Sequence, residues 1–389
     1  MNEAVIVSAV RSAVGRGKKD GGLANVHPTE LSARVMNAAI AKAGIDPAII
    51  DDIFWGCAMP EASQGLNVAR LSSLKAGIPV DVPSATINRF CSSGLQSVAL
   101  AAQEIMSGMA DVVLAGGIEM MSQVPMSGFH TRLAAEDTES YIGMGFTAER
   151  VAERWKVSRD DQDRWALASQ QKAARAMSDK RFDAQVVPIP TLKVTWQGGK
   201  KTESEVPFAR DELPRTDTTK EGLAKLKPVF KVNGTVTAGN ASPYSDGAAA
   251  LVVMSSERAK ALNIKPLARF ITFASAGVEP DVMGVGPIKA VPKAMKRAGL
   301  TMKDVKLIEF NEAFAAQVVA VVRDLEMPED RVNVNGGAIA LGHPLGATGA
   351  KLSTQLIHEL ARRGGGVGLV TMCIGGGMGA AGLFEVFPS

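Results

Sequence analysis

An internal repeat constrains this chain more than any other feature. Ala39-Ile40-Ala41-Lys42-Ala43-Gly44-Ile45, followed by Asp52-Ile53-Phe54-Trp55, is matched by Ala294-Met295-Lys296-Arg297-Ala298-Gly299-Leu300, followed by Leu307-Ile308-Glu309-Phe310, about 255 residues later. In both copies a helical pattern stops at Ala-Gly-aliphatic, where glycine can take the left-handed conformation that ends a helix. A strand-like run follows after the same gap. With 389 residues, the chain is too long for one ordinary core, so two similar halves packed as a pseudo-dimer are expected.

Periodicity adds residues 5–9 as a buried strand, 28–43 as an amphipathic helix, 53–55 as a strand and 84–90 as an extended lead into a helix from about 92 to 106. The apolar run 112–115 follows. Such βαβ alternation predicts a mixed, largely parallel sheet covered by helices. Residues from about 119 to 240 have a different texture, with Met-, Gly- and charge-rich loops and a helix over 159–177. They are expected to form an insertion over the site. The expected division is 1–118 plus 241–264 as the first core half, 119–240 as a loop domain, and 265–389 as the second half.

Composition excludes several classes. Apolar residues make up 46% and charged residues 21%, and net charge is only +3, so no global field argues for nucleic acid or an anionic membrane surface. Three cysteines without short-range pairing argue against a disulfide framework and suit a reducing, cytoplasmic compartment. Residues 1–7 carry no basic region ahead of an apolar stretch, so no secretory leader is expected. The uncharged stretch 364–384 is long enough to span a bilayer. Its glycine clusters favour two core strands around a tight turn instead, and no membrane span is expected.

Three residues concentrate the chemistry. Cys91, in Asn88-Arg89-Phe90-Cys91-Ser92-Ser93-Gly94, sits where a strand-like run meets a helix start, whose unpaired N–H groups favour a thiolate. His343, in Gly342-His343-Pro344, lies in a glycine-rich loop before a helix running to Arg362, and could activate a thiol or donate to an oxyanion. Cys373 ends a strand before Gly375-Gly376-Gly377, a turn whose N–H groups could bind an oxyanion. Asn311, in Asn311-Glu312-Ala313-Phe314-Ala315, also follows a strand and could hold a water or a carbonyl oxygen. Shifting the Cys91 turn by the repeat carries it close to His343, so both loops could face one site. Structural readings stand beside these: a buried inert thiol for Cys91, a loop histidine for His343, a turn cysteine for Cys373. His27, His130 and His358 lack such settings, and Cys57 has no proposed role. No cysteine or histidine spacing suits a metal.

Taken together, the Cys-Ser-Ser-Gly-Leu-Gln turn, Asn-Glu-Ala-Phe, Gly-His-Pro and Cys-Ile-Gly-Gly-Gly, in this order, resemble the thiolase superfamily over nearly the whole chain. Gly234-Thr235-Val236-Thr237-Ala238-Gly239-Asn240-Ala241-Ser242 adds a further family signature. The resemblance implies an α/β fold of two similar αβαβα-layered halves with an inserted loop domain. It implies that Cys91 takes the acyl group of a 3-ketoacyl thioester and that His343 draws its proton. His343, with a water held by Asn311, would stabilise the enolate. Cys373 would be the second acid/base, and the N–H groups of Cys91 and Gly375 a second oxyanion hole. Ser242 matches a pantetheine-contacting position, Arg215 one at the nucleotide end, and Met144 and Phe314 positions lining the acyl pocket. Coenzyme A would be co-substrate, with no permanently bound cofactor and no metal. A homodimer or homotetramer is implied, and a beta-oxidation partner subunit is compatible.

Two departures from the family pattern stand out. Gly143 occupies the place where short-chain biosynthetic members carry histidine, which favours degradative 3-ketoacyl-CoA thiolysis. Acetoacetyl-CoA synthesis is the alternative, and a non-catalytic acyl-CoA or lipid carrier a further one. Pro243-Tyr244-Ser245 stands where small or aliphatic residues and Asn are usual, and could reshape the pantetheine channel.

Overall fold

The computed structural model describes residues 2–126, 138–198 and 200–389. The first half runs β1 (Ala4–Ser12), β2 (Gly15–Arg16), α1 (Pro28–Ala43), β3 (Asp52–Gly56), α2 (Val68–Lys75), β4 (Ala85–Ile87), α3 (Ser93–Ser107) and β5 (Val112–Met120). The chain then passes through α4 (Met144–Arg154), α5 (Arg159–Ser178), β6 (Val186–Val187), the hairpin β7 (Ile189–Gln197) and β8 (Lys200–Phe208), and α6 (Lys220–Ala224). It re-enters the first half as β9 (Ser245–Ser255) and α7 (Ser256–Ala261). The second half comprises β10 (Ala268–Gly277), α8 (Gly286–Ala298), β11 (Val305–Phe310), α9 (Ala315–Asp324), α10 (Ala338–Leu341), α11 (Leu345–Arg362), β12 (Gly366–Ile374) and β13 (Met378–Val386).

Local chemistry sets the repeated boundaries. His27 caps α1 through the Thr29 N–H, Pro28 opens its first turn, and Gly44 closes it at φ +68°. Gly299 closes α8 in the same way at φ +66°. Both take the left-handed conformation that glycine adopts without a Cβ clash.

The strands form one path, β11-β12-β13-β10-β1-β9-β5-β3-β4. Its centre is the antiparallel contact of β1 with β10 (Val5↔Arg269, Ile6↔Ala268). Outward from that contact the order is β1-β9-β5-β3-β4 on one side and β10-β13-β12-β11 on the other. A parallel bridge from Ile308 to Val332 stands where β4 pairs with β3, so the two halves repeat one topology. The sheet is less parallel than the sequence suggested. Among the described strands, parallel pairing is confined to β4-β3-β5, β11-β12 and the short β1-β6 contact, while β9 and β13 run antiparallel to both neighbours. The physical reason is that each half brings its last strand back between its first strand and the parallel set, and β12 turns directly into β13.

Alternate residues divide the core into layers. Val113, Ala115, Leu251 and Val253 face a cluster with Leu95 and Val98 of α3 and Leu352 and Leu356 of α11, joined by Val370 and Met372 of β12. Val112, Leu114, Ala250 and Val252 face the opposite way, toward α1. Leu369 and Leu383 face α8 and α9. The sheet therefore wraps a central pair of helices, α3 and α11, with further helices outside. That pair crosses closely: a Cβ on Gly94 would lie 2.7 Å from the Ala350 nitrogen, and one on Gly349 would lie 2.1 Å from the Leu95 nitrogen. The stretch 364–384 contributes β12 and β13, and among the described residues no helix is long and apolar enough to cross a membrane.

The inserted segment is tied to the core by a buried guanidinium. Arg11 makes a bidentate pair with Asp211 (2.8 and 2.9 Å), donates to Gln185 Oε1 (3.0 Å) and lies over the Phe182 ring. The Asp211 carboxylate also accepts from the Val14 N–H.

Candidate active site

The first half presents Cys91 in a single 3₁₀ turn, Phe90–Ser92, just ahead of α3. Phe90 has φ +43°, an unusual conformation for an aromatic residue. Two side chains hold it there. Asn88 Oδ1 accepts from the Phe90 N–H, and Ser93 Oγ accepts from the Arg89 N–H while donating to the Phe90 carbonyl. The residue keeps some exposed surface, yet its thiol is pushed up to about 11, first by burial, with Glu119 adding to the rise and the N–H groups of Gly375 and Cys91 opposing it. The thiolate expected from a helix start is therefore not the resting form: Cys91 precedes the first helical turn, and desolvation outweighs the N–H groups.

The second half presents His343 between α10 and α11, buried beside Asn311. Its hydrogen bonds assign the tautomer. Thr348 Oγ1 donates to the Pro344 carbonyl at 3.0 Å, so it accepts from His343 Nδ1–H at 2.6 Å. Nε2 then carries the lone pair, toward which Asn311 Nδ2 donates at 3.2 Å. Burial, followed by the Lys351 charge, depresses the imidazole pKa to about 3. The ring is thus a neutral base with Nε2 as its basic atom. Asn311 Oδ1 has no hydrogen-bond partner among the described residues, as expected of a group that receives a water or substrate atom.

Cys373 ends β12 next to Cys91. Its thiol is raised well above the ordinary value, mainly by burial and also by the nearby Cys91. Gly376 and Gly377 have φ +79° and +84°, so the turn needs residues without a Cβ. The Gly375 N–H is thereby aimed at the Cys91 sulfur. Met144 lies against this turn, with Sδ 3.5 Å from where a Gly375 Cβ would sit. Phe314 packs with Cys373, Ala313, Met283 and Val236.

The remaining sequence candidates lie around this centre at different distances. Ser242 is held by its N–H to the Ala313 carbonyl at 2.9 Å, beside Phe314. The segment Pro243-Tyr244-Ser245 runs along the His343 loop: Tyr244 bridges His343, and Ser245 Oγ accepts from the His343 N–H while donating to the Pro243 carbonyl. Arg215 is exposed and is anchored through its N–H to Gln170 Oε1 at 2.8 Å. His27 caps α1, His358 contacts the Ala9 carbonyl, and His130 lies outside the described residues.

Sequence reasoning missed several supports. Glu119 is fully buried and accepts from the N–H groups of Ala58, Met59 and Gly346 and from Gln64 Nε2. It joins the loop after β3 to the start of α11, two residues beyond Pro344. Burial raises its pKa against the pull of these donors. Cys57, the thiol without a proposed role, lies 3.9 Å from it. Glu312 similarly binds Trp165, Ser169, Asn333 and the Ile339 N–H, fixing the loop that carries Asn311. A lone carboxylate in an otherwise apolar strand was the available signal for Glu119.

Both halves thus bring two neutral thiols, a neutral imidazole and glycine-turn N–H groups to one place, which defines a pseudo-dimeric enzyme of thiol-based group transfer. The sequence profile for the thiolase N-terminal domain matches residues 4–257 and that for the thiolase C-terminal domain residues 264–386. A 3-ketoacyl-CoA thiolase of Bacillus subtilis is 52% identical over 391 residues, covering 99% of this chain and 100% of the relative. An acetyl-CoA acetyltransferase of Pseudomonas aeruginosa is 45% identical, covering 98% of each chain. The crystal structure of the Bacillus anthracis acetyl-CoA acetyltransferase superposes with a TM-score of 0.90 at 40% identity, covering 100% of this chain and 99% of the other. The chain belongs to the thiolase family. It is accordingly an acyltransferase with the thiolase fold.

Proposed function

We propose that this enzyme cleaves 3-ketoacyl-CoA with coenzyme A, giving acetyl-CoA and a shortened acyl-CoA by a ping-pong route through acyl-Cys91. The observation that carries the reading is the hydrogen-bond chain from Pro344 through Thr348 to His343, which makes Nε2, toward which Asn311 Nδ2 donates, the proton-accepting atom of the ring. His343 Nε2 takes the Cys91 proton, and the sulfur attacks the 3-keto carbon. The N–H groups of Cys91 and Gly375 hold the resulting oxyanion, each such donor typically being worth about 10²–10³ in rate. The C2–C3 bond then breaks. Protonated His343 and a water on Asn311 stabilise the acetyl-CoA enolate, and Cys373 delivers its proton to C2. In the second half-reaction Cys373 takes the proton of the incoming CoA thiol, whose sulfur displaces the acyl group, and His343 returns the first proton to Cys91.

Ser242 and Arg215 belong to this reading as contacts of coenzyme A, the first at the pantetheine and the second toward the nucleotide, with Met144 and Phe314 against the acyl group. Residues 119–240 act as the loop domain over the site, between 1–118 with 241–264 and 265–389. The working form is a cytoplasmic homodimer or homotetramer. Support for the degradative direction comes from the Bacillus subtilis relative, a 3-ketoacyl-CoA thiolase, and from Gly143. The acetyl-CoA acetyltransferases among the relatives favour the second reading, condensation of two acetyl-CoA.

The test is CoA-dependent loss of 3-ketoacyl-CoA. Cys91→Ala is expected to abolish it while binding persists, and retention of normal turnover would reject the mechanism. Strict preference for the four-carbon substrate would instead favour condensation.

A further inference from the structure

Glu119 gives the two reactive loops a common hydrogen-bond acceptor. It lies near the end of β5 and is completely buried. Its Oε2 accepts from the Ala58 N–H (2.9 Å) on the first half and from the Gly346 N–H (2.8 Å) on the second. Each donor leads to a reacting group. On the first side, the Ala58 carbonyl accepts from Asn88 Nδ2 (3.1 Å), and Asn88 Oδ1 accepts from the Phe90 N–H (2.8 Å), next to Cys91. On the second side, Gly346 lies in the first turn of α11, between Pro344 and the Thr348 hydroxyl that fixes His343 Nδ1. The carboxylate is itself held in place. Its Oε1 accepts from Gln64 Nε2 (2.6 Å) and from the Met59 N–H (3.3 Å), while Gln64 Oε1 accepts from the Met120 N–H (2.5 Å). Glycines bring bare backbone together around it. A Cβ on Gly346 would lie 2.7 Å from the Ala58 nitrogen, and one on Gly117 would lie 2.3 Å from the Gly346 oxygen. One on Gly56 would lie 2.8 Å from that same oxygen.

We propose that Glu119 is a positioning residue for acyl transfer: by holding Ala58 and Gly346 on one oxygen, it sets the Cys91 loop of the first half in register with the His343 loop of the second. This rests on the thiolysis reading, in which His343 Nε2 takes the Cys91 proton. Glu119 touches neither substrate nor the reacting atoms and acts only through the two loops. A misplacement of about 1 Å between reacting groups costs on the order of 100-fold in rate. The residues assigned to coenzyme A, Ser242 and Arg215, lie on other segments that Glu119 does not hold. Loss of the shared acceptor therefore falls on kcat and spares KM.

The experiment measures kcat and KM for thiolysis of 3-ketoacyl-CoA by the wild type, Glu119→Gln, Glu119→Asp and Asn88→Ala. Circular dichroism and size-exclusion mass count the folded protein in each. Glu119→Gln keeps the shape but sets an NH2 against N–H donors, and Glu119→Asp shortens the reach so that one oxygen no longer spans both loops. Both should lower kcat per folded enzyme by about 10–100-fold, with KM changed by less than about twofold. Asn88 is exposed and lies outside the buried junction, so Asn88→Ala severs the first-half link alone. It should lower kcat by about tenfold, and combining it with Glu119→Gln should cost less than the product of the two single losses. A kcat close to the wild-type value in folded Glu119→Gln overturns the proposal. Loss of kcat matched by loss of folded protein, a parallel rise in KM, or fully multiplicative losses in the double variant also overturns it and leaves Glu119 a structural role. If neither Glu119 variant folds, Asn88→Ala decides, and an unchanged kcat there rejects the link. Failure of the underlying thiolysis reading is distinct: the wild type would then turn over no 3-ketoacyl-CoA.

Discussion

In the proposed mechanism His343 serves as a base because Thr348 fixes its proton on Nδ1. Replacing the hydroxyl with a methyl in Thr348→Val removes the acceptor and lets the ring proton move to Nε2. About 10–100-fold loss in kcat is expected, less than the 10²–10⁴-fold that a general base contributes, because the imidazole itself remains. KM should change little, and Thr348→Ser should restore most of the activity. An unchanged kcat in Thr348→Val would remove Thr348 from this positioning role. Burial makes a second, sign-definite statement about Cys91. With its pKa raised to about 11, the free enzyme holds little thiolate at neutral pH. Alkylation of Cys91 by iodoacetamide, followed by peptide mass spectrometry, should therefore climb about tenfold per pH unit from 7 to 10. A plateau already reached at pH 7 would instead reveal a resting thiolate–imidazolium pair. Cys91, His343 and Cys373 stand out as candidates in the sequence because glycines and strand ends surround them. Thr348 and Glu119 were not, since their roles depend on partners brought close only by folding.

At the scale of elements, the two helices that follow the reactive loops set how closely those loops approach. Gly94 and Gly349 each allow the facing backbone to come within a distance no Cβ permits. Gly349→Ala should destabilise the fold by about 1–3 kcal/mol, the usual cost of overpacking, and reduce activity even at temperatures where the protein remains folded. Urea unfolding with parallel assays checks both effects, and full stability with full activity would contradict the close crossing. The Ala-Gly-aliphatic stops of α1 and α8 could be read directly, because a capping glycine is a local signal. Strand direction could not: β9 and β13 enter the sheet after long excursions or a tight turn, and their antiparallel placement is a property of topology rather than of periodicity.

At the scale of the molecule, the repeated halves meet at β1 and β10, and the inserted segment is fastened by Arg11 and Asp211. Removing one partner of such a buried pair leaves an uncompensated charge, typically costing about 3–5 kcal/mol. Asp211→Asn should lower the unfolding midpoint and expose residues 179–215 to limited proteolysis before the core is cut. Simultaneous cleavage of both would show that the clamp does not hold the insertion. The pseudo-twofold arrangement explains why Cys91 comes from one half while His343, Asn311 and Cys373 come from the other. It also makes the central claim a statement about which thiol carries the acyl group. The most direct measurement is rapid quenching of the enzyme with 3-ketoacyl-CoA in the absence of free CoA, followed by peptide mass spectrometry. The account predicts stoichiometric acyl-Cys91 with release of one acetyl-CoA, and an adduct on Cys373 or no adduct at all would contradict it.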